Sequence, residues 1–118
     1  MNILLVDDEV ELASTLAERL SMRGMTADWV SSGEAALELI KTKSYDVAVL
    51  DLKMPGINGI ELMKRLGEMV PTLKFVIMTG HGSLSDYASH RVPTVRYLAK
   101  PLRLSELITF INELMAAS

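Results

Sequence analysis

Short apolar runs alternate with longer helical patterns along this chain, and that alternation limits its fold more than any other feature. "NILLV" (2–6), "MTADWV" (25–30), "DVAVL" (46–50), "KFVIM" (74–78) and "TVRYLA" (94–99) have the length and composition of strands. Between them lie segments with helical spacing. Leu12, Ala13, Leu16, Ala17 and Leu20 recur on one face, and Gly24 supplies a stop. "SSGEAALELI" places Ser31 and Glu34 at capping-box spacing ahead of an apolar face. "GIELMKRLGEM" (59–69) is helical, and Leu104, Leu107, Ile108, Ile111, Leu114 and Met115 form the stripe of a last helix. In "LSDYASHRVP" (84–93) the periodicity is poor and Pro93 ends any helix, so a short or irregular fourth helix is expected there. Five strands alternating with five helical segments imply βαβ units. The fold class is therefore α/β, a doubly wound five-stranded parallel sheet with helices on both faces.

A length of 118 residues fits one domain, taken as 1–118, and is enough to bury a core without staples. With 49% hydrophobic and 23% charged residues the chain has the balance of a globular protein, which argues against disorder. A formal net charge of −3 gives no reason to expect direct binding of nucleic acid. The absence of cysteine excludes disulfides, thiol catalysis and cysteine-ligated zinc. "MNILLVDDE" has no basic region ahead of its apolar run, and no stretch is long enough to cross a bilayer. A soluble, cytoplasmic domain without membrane contact is the expectation.

The polar residues cluster at one end of this arrangement. The first strand runs into Asp7 and Asp8, the third into Asp51, the fourth into Thr79 and the fifth into Lys100. In open α/β sheets ligands bind in the crevice beyond the carboxyl ends of the strands. "VLDLKMPGING" (49–59) shows the pattern best, an apolar run that stops on Asp51 and turns through Pro55, Gly56 and Gly59. Three carboxylates in one crevice repel unless a cation joins them, and a hard divalent ion, Mg²⁺ before others, is the natural partner for oxygen ligands. Three carboxylates and one such ion leave a single negative charge, which Lys100 neutralises. A site so composed suits an incoming phosphoryl group, with a carboxylate as the attacking group and the Thr79 hydroxyl as a donor.

Four pieces, "LLVDDE" (4–9), "VAVLDLKMPGINGIEL" (47–62), "VIMTGHG" (76–82) and "YLAKPL" (97–102), occur in an order and with separations that resemble the receiver domain of two-component response regulators. The resemblance spans essentially the whole chain, and "MTGHGS" is similar to receivers of the nitrogen-regulatory, enhancer-binding class. It implies a flavodoxin-like strand order of 2-1-3-4-5. It also implies that Asp51 is the phosphoacceptor, taking a phosphoryl group from a sensor histidine kinase or phosphotransfer protein. Asp7 and Asp8 would be the acidic pair for Mg²⁺, with Asp8 ranked ahead as a direct ligand and Asp7 acting directly or through water. The backbone carbonyl of Lys53 would complete the set. Lys100 would contact the phosphoryl oxygens, with Lys100–Pro101 in the cis form. Thr79 and Tyr97 would be the switch pair, and Lys53 and His81 lie where the family tunes hydrolysis. Kinase docking would involve exposed first-helix positions such as Glu11, Ser14 and Thr15. An effector domain C-terminal to the chain, or a stand-alone receiver, would fit equally, as would a monomer or weak dimer. The stretch from "HGS" to "YLAKP" is shorter than the family's usual spacing, and Arg103 replaces the commoner capping residue before the last helix.

Plainer readings stand beside these. Either Asp7 or Asp8 alone could cap the first helix. Tyr97 could be a half-buried sheet aromatic, Lys53 and Met54 exposed loop residues, and His81 and His90 surface imidazoles. Trp29 and the eight methionines read as core or surface filling. Two rival functions fit parts of the pattern: a receiver-like interaction module acting without phosphorylation, and a Mg²⁺-dependent phosphohydrolase with an aspartyl-phosphate intermediate. The second rival calls for an aspartate two residues after the nucleophile, where this chain has Lys53. The receiver reading makes the chain no enzyme beyond weak self-catalysed phosphorylation and dephosphorylation.

Overall fold

The computed structural model describes residues 1–80 and 94–116. The elements are β1 (Asn2–Val6), α1 (Val10–Ser21), β2 (Thr26–Val30), α2 (Gly33–Leu39), β3 (Val47–Asp51), α3 (Gly59–Met69), β4 (Lys74–Thr79), β5 (Val95–Ala99) and α4 (Leu104–Ala116). The strands form one parallel sheet in the order β2-β1-β3-β4-β5, as expected. The short fourth helix expected over 84–93, with His81 and His90, lies outside the described residues.

Side-chain alternation divides the core in two. Ile3, Leu5, Val47, Val49, Val76, Met78 and Leu98 meet Leu16, Ala17 and Leu20 of α1 and Leu107, Ile111 and Leu114 of α4. Leu4, Val6, Ala48, Leu50 and Ile77 point the other way, onto Ala36 of α2 and Leu62 and Leu66 of α3. Every residue of β3 is buried, as a strand covered on both faces requires. Among the described residues β5 is paired to β4 alone.

Local signals set the boundaries. Gly24 adopts φ +85° just beyond α1, and its N–H donates to the Ser21 carbonyl at 3.1 Å. At α2 the cap is one residue later than expected. β2 continues to Val30 and uses Ser31 in the turn, so Ser32 takes the extended cap geometry and accepts the Ala35 N–H at 3.1 Å. The Ser31–Glu34 box is therefore not the cap. α3 starts on Asn58, whose Oδ1 accepts the Glu61 N–H at 2.9 Å. Ahead of α4 the backbone oxygen of Arg103 accepts the Leu107 N–H at 3.1 Å, and its side chain lies 3.9 Å from Glu106. Among the described residues no helix is long and apolar enough to cross a membrane.

Candidate functional site

The sheet register assembles the site. Val6 pairs with Leu50, so the next step along β1 and β3 sets Asp7 beside Asp51. Asp51 itself pairs with Met78, and Thr79 pairs with Ala99, the residue before Lys100. β1 and β3 are the strands between which the order reverses, where the crevice of a doubly wound sheet opens. Strand pairing thus gathers four residues far apart in sequence.

Each is held from behind. Asp7, 1% exposed, donates its N–H to the Val30 carbonyl at 3.2 Å, and its Oδ1 accepts the Glu9 N–H at 3.0 Å. That bond turns the chain into α1, although the side chain of the cap residue Glu9 accepts from no helix N–H. Asp51 is 6% exposed, and the next residue, Leu52, donates its N–H to the Met78 carbonyl at 2.9 Å. The turn after it is built closely. Gly56 adopts φ +78°, and the Gly59 N–H returns to the Leu52 carbonyl at 2.9 Å. A Cβ on Gly59 would lie 2.5 Å from the Asp51 carbonyl oxygen, so only glycine lets α3 begin this close to the acid. The Lys100 N–H donates to the Thr79 carbonyl at 2.8 Å, and Lys100–Pro101 is cis, as the resemblance implied.

Carboxylate oxygens of Asp7, Asp8 and Asp51 all lie within 4.8 Å of one another, with Asp8 exposed. Like charges at that separation repel by about 3.5 kcal/mol per pair at an effective dielectric near 20. Among the described residues one cation answers them. The Lys100 Nζ lies 3.4 Å from Asp7 Oδ2, 3.3 Å from Asp51 Oδ2 and 3.3 Å from Glu9 Oε1. The balance falls short for Asp51. Burial, and then the charge of Asp7, push its carboxyl up to about 6 against the opposing pull of Lys100. Burial pulls Lys100 down, but the charges of Asp51, Asp7 and Glu9 outweigh it, and its ammonium ends above the usual lysine range. All the grouped donors are hard oxygens, the set that suits a divalent cation such as Mg²⁺.

Thr79 is fully buried, and its Oγ1 is the one buried side-chain polar atom among the described residues without a hydrogen-bond partner. An orphaned hydroxyl costs about 1–3 kcal/mol, so it marks a place where an acceptor is wanted. Tyr97 is half-buried on β5, opposite Ile77, and packs on the core beneath α2 and α3. Lys53 is exposed in the turn. Met54 corrects an expectation: it is buried and joins the core beneath α2 and α3, because the turn through Pro55 and Gly56 folds it inward. Glu11 and Thr15 are exposed on α1, whereas Ser14 is half-buried and donates its hydroxyl to the Glu11 carbonyl at 3.2 Å. Trp29 remains 37% exposed on β2. The residue that sequence reasoning missed is Glu9. The signal was available, since a third acid follows the aspartate pair directly.

Comparison with known proteins agrees with this geometry. A family model described as the response regulator receiver domain matches residues 3–112. The transcriptional regulatory protein TctD of Salmonella typhimurium is 35% identical over 119 residues, covering 100% of this chain and 53% of TctD. The DNA-binding transcriptional regulator NtrC of Klebsiella pneumoniae is 30% identical over 92% of this chain and 23% of its own length. The chain thus spans about half the length of TctD and less of NtrC. Among solved structures, the response regulator protein TrrA of Thermotoga maritima, in complex with Mg²⁺–BeF, superposes with a TM-score of 0.80 and 30% identity. That match covers 96% of this chain and 97% of TrrA. On these grounds the chain belongs to the response regulator receiver domain family, the receivers of two-component systems.

Proposed function

We propose that the chain, taken as one receiver unit over 1–118, accepts a phosphoryl group on Asp51 from a phosphohistidine of a partner kinase or phosphotransfer protein, and that the charged form controls an effector. The observation that carries this reading is a buried Asp51 that shares the Lys100 ammonium with Asp7 and Glu9, within 4.8 Å of two further carboxylates. The complex of TrrA with Mg²⁺–BeF lends support from a relative.

Asp7, Asp8 and Asp51, with the backbone carbonyl of Lys53, would hold Mg²⁺. When bound, that ion supplies charge neutralisation and polarises a phosphoryl oxygen. The chain's own residues do the rest. The Asp51 carboxylate, more basic than usual yet ionised above pH ~6, attacks phosphorus; a new O–P bond forms as the P–N bond to the donor imidazole breaks. Lys100 donates to the oxygens of the transferred group. The Thr79 hydroxyl turns its unused donor to another, and Tyr97 repacks behind it, shifting the population between two arrangements. Lys53 and His81 tune how fast water reverses the reaction. No external substrate is turned over in this scheme, so the chain is a switch with weak self-catalysis, working in the cytoplasm.

Incubation with Mg²⁺ and acetyl phosphate, followed by intact mass measurement, tests the reading. A single phosphate adduct is expected in the wild type and none in Asp51→Asn. An adduct that persists in Asp51→Asn would overturn the assignment of the acceptor. No adduct in either protein would point to an interaction module, and rapid turnover of many phosphoesters to a hydrolase.

A further inference from the structure

Lys100 is crowded by three carboxylates, and one of them, Glu9, has no part in the proposed reaction. The Lys100 Nζ donates to Asp7 Oδ2 at 3.4 Å and to Glu9 Oε1 at 3.3 Å, and pairs by charge with Asp51 Oδ2 at 3.3 Å. Charge-assisted bonds of this kind usually close to roughly 2.7–2.9 Å, so the ammonium is shared and no single acid holds it fully. The three acids differ in what they can do next. Asp7, just past β1, and Asp51, at the end of β3, are buried, whereas the Glu9 side chain is 64% exposed. The Glu9 backbone is fixed, its N–H on Asp7 Oδ1 at 3.0 Å and its carbonyl accepting the Ala13 N–H at 3.0 Å. Only its side chain is free to swing, and it reaches Lys100 from the solvent side.

We infer that Glu9 is a positioning residue: its carboxylate draws the Lys100 ammonium off Asp51 in the uncharged site and must let go when a phosphoryl group arrives. The inference rests on the reading of Asp51 as a phosphoryl acceptor. A phosphoryl group brings three acceptor oxygens; Asp51 gives up its own claim on Lys100 as it becomes the acyl phosphate, and the donor that Glu9 holds is the next one the group can use. Releasing Asp7 would strand a buried charge. Glu9 exchanges the ammonium for water instead, so it is the partner given up, and its grip is subtracted from the affinity for the incoming group.

The test is calorimetric titration of beryllofluoride, a phosphoryl mimic, into the full chain at saturating Mg²⁺, for wild type, Glu9→Gln and Glu9→Asp. Glutamine removes the charge that competes for Lys100; aspartate keeps the charge but withdraws it by one methylene. Both variants are expected to bind the mimic roughly threefold more tightly, the scale of an exposed ion pair. Neither is expected to bind Mg²⁺ alone more tightly, because neither adds negative charge to the site. Equal or weaker binding of the mimic by the Gln variant overturns the inference. So does tightening by Gln with Asp unchanged, which would be an effect of charge without contact. Wild type that binds no mimic at all overturns the acceptor reading itself, a result distinct from wild type that binds with variants that match it.

Discussion

Two acids in this sheet sit in opposite electrostatic circumstances. Asp28, on β2, has one carboxylate and a surplus of partners: Lys43 Nζ donates to its Oδ2 at 2.8 Å and the Tyr45 hydroxyl at 2.5 Å. The hydrogen bond from Lys43, and then that from Tyr45, hold its carboxyl below the usual range despite some burial. Tyr45 pays in turn, since burial and the bond to Asp28 push its phenol well above its ordinary value. Asp51 has the reverse arrangement, with several acids competing for one ammonium and a carboxyl pushed up to about 6. The first cluster is satisfied and ties β2 to the segment before β3. The second is left short of positive charge, which is the condition of a group that has something to bind.

The same substitution should therefore have opposite signs at the two positions. Asp51→Asn removes a penalised charge and is expected to stabilise the metal-free protein by about 2–3 kcal/mol at pH 7.5, read by urea unfolding. Its pH dependence follows from linkage. Between the ordinary value of 3.8 and about 6 the native state holds a proton that the unfolded chain has lost, so wild-type stability falls as pH rises through that window. The gain from Asn is then full above pH ~6 and gone below pH ~4. Equal stability of the two proteins at pH 7.5 would remove the contrast. Asp28→Asn is expected to destabilise by about 1–2 kcal/mol, and because its folded value is lowered, that loss is fully present above the unfolded value of 3.8 and disappears as pH falls through the lower folded value.

Smaller changes sharpen the same comparison. Tyr45→Phe leaves Asp28 its lysine and should cost about 1 kcal/mol by thermal unfolding. Lys43→Met, which removes a largely exposed partner, should cost no more than about 0.5 kcal/mol, and less in high salt. A larger loss from Lys43 than from Tyr45 would mean that the cluster is held by charge and not by the phenol.

Much of this molecule was readable from its residues because its elements are strongly patterned. The apolar runs of β1, β3 and β4 admit one interpretation, and once they are parallel the ends at Asp7, Asp51, Thr79 and Lys100 must meet. What escaped has physical reasons. Ser31 and Ser32 are chemically alike, and only the length of β2 decides which becomes the cap. Met54 sits in a loop by sequence, and its burial depends on the turn at Gly56. Asp28, Lys43 and Tyr45 meet through side chains 15 and 17 residues apart, a distance at which local pattern carries no information. Glu9 looked like an ordinary acid at a helix start, and its link to Lys100 spans 91 residues.

The two halves of the pocket are mounted on unequal supports. Asp51 rides on a strand bonded along both flanks, walled by helices above and below and butted at its carbonyl by the start of α3. Tyr97 rides on, and Lys100 just after, a strand that among the described residues is bonded along one flank. Whatever lands on the aspartate therefore meets a rigid floor and a compliant wall. Under the proposed switch, displacement is expected to run outward through the lysine's strand, with the strand beneath the aspartate held in place.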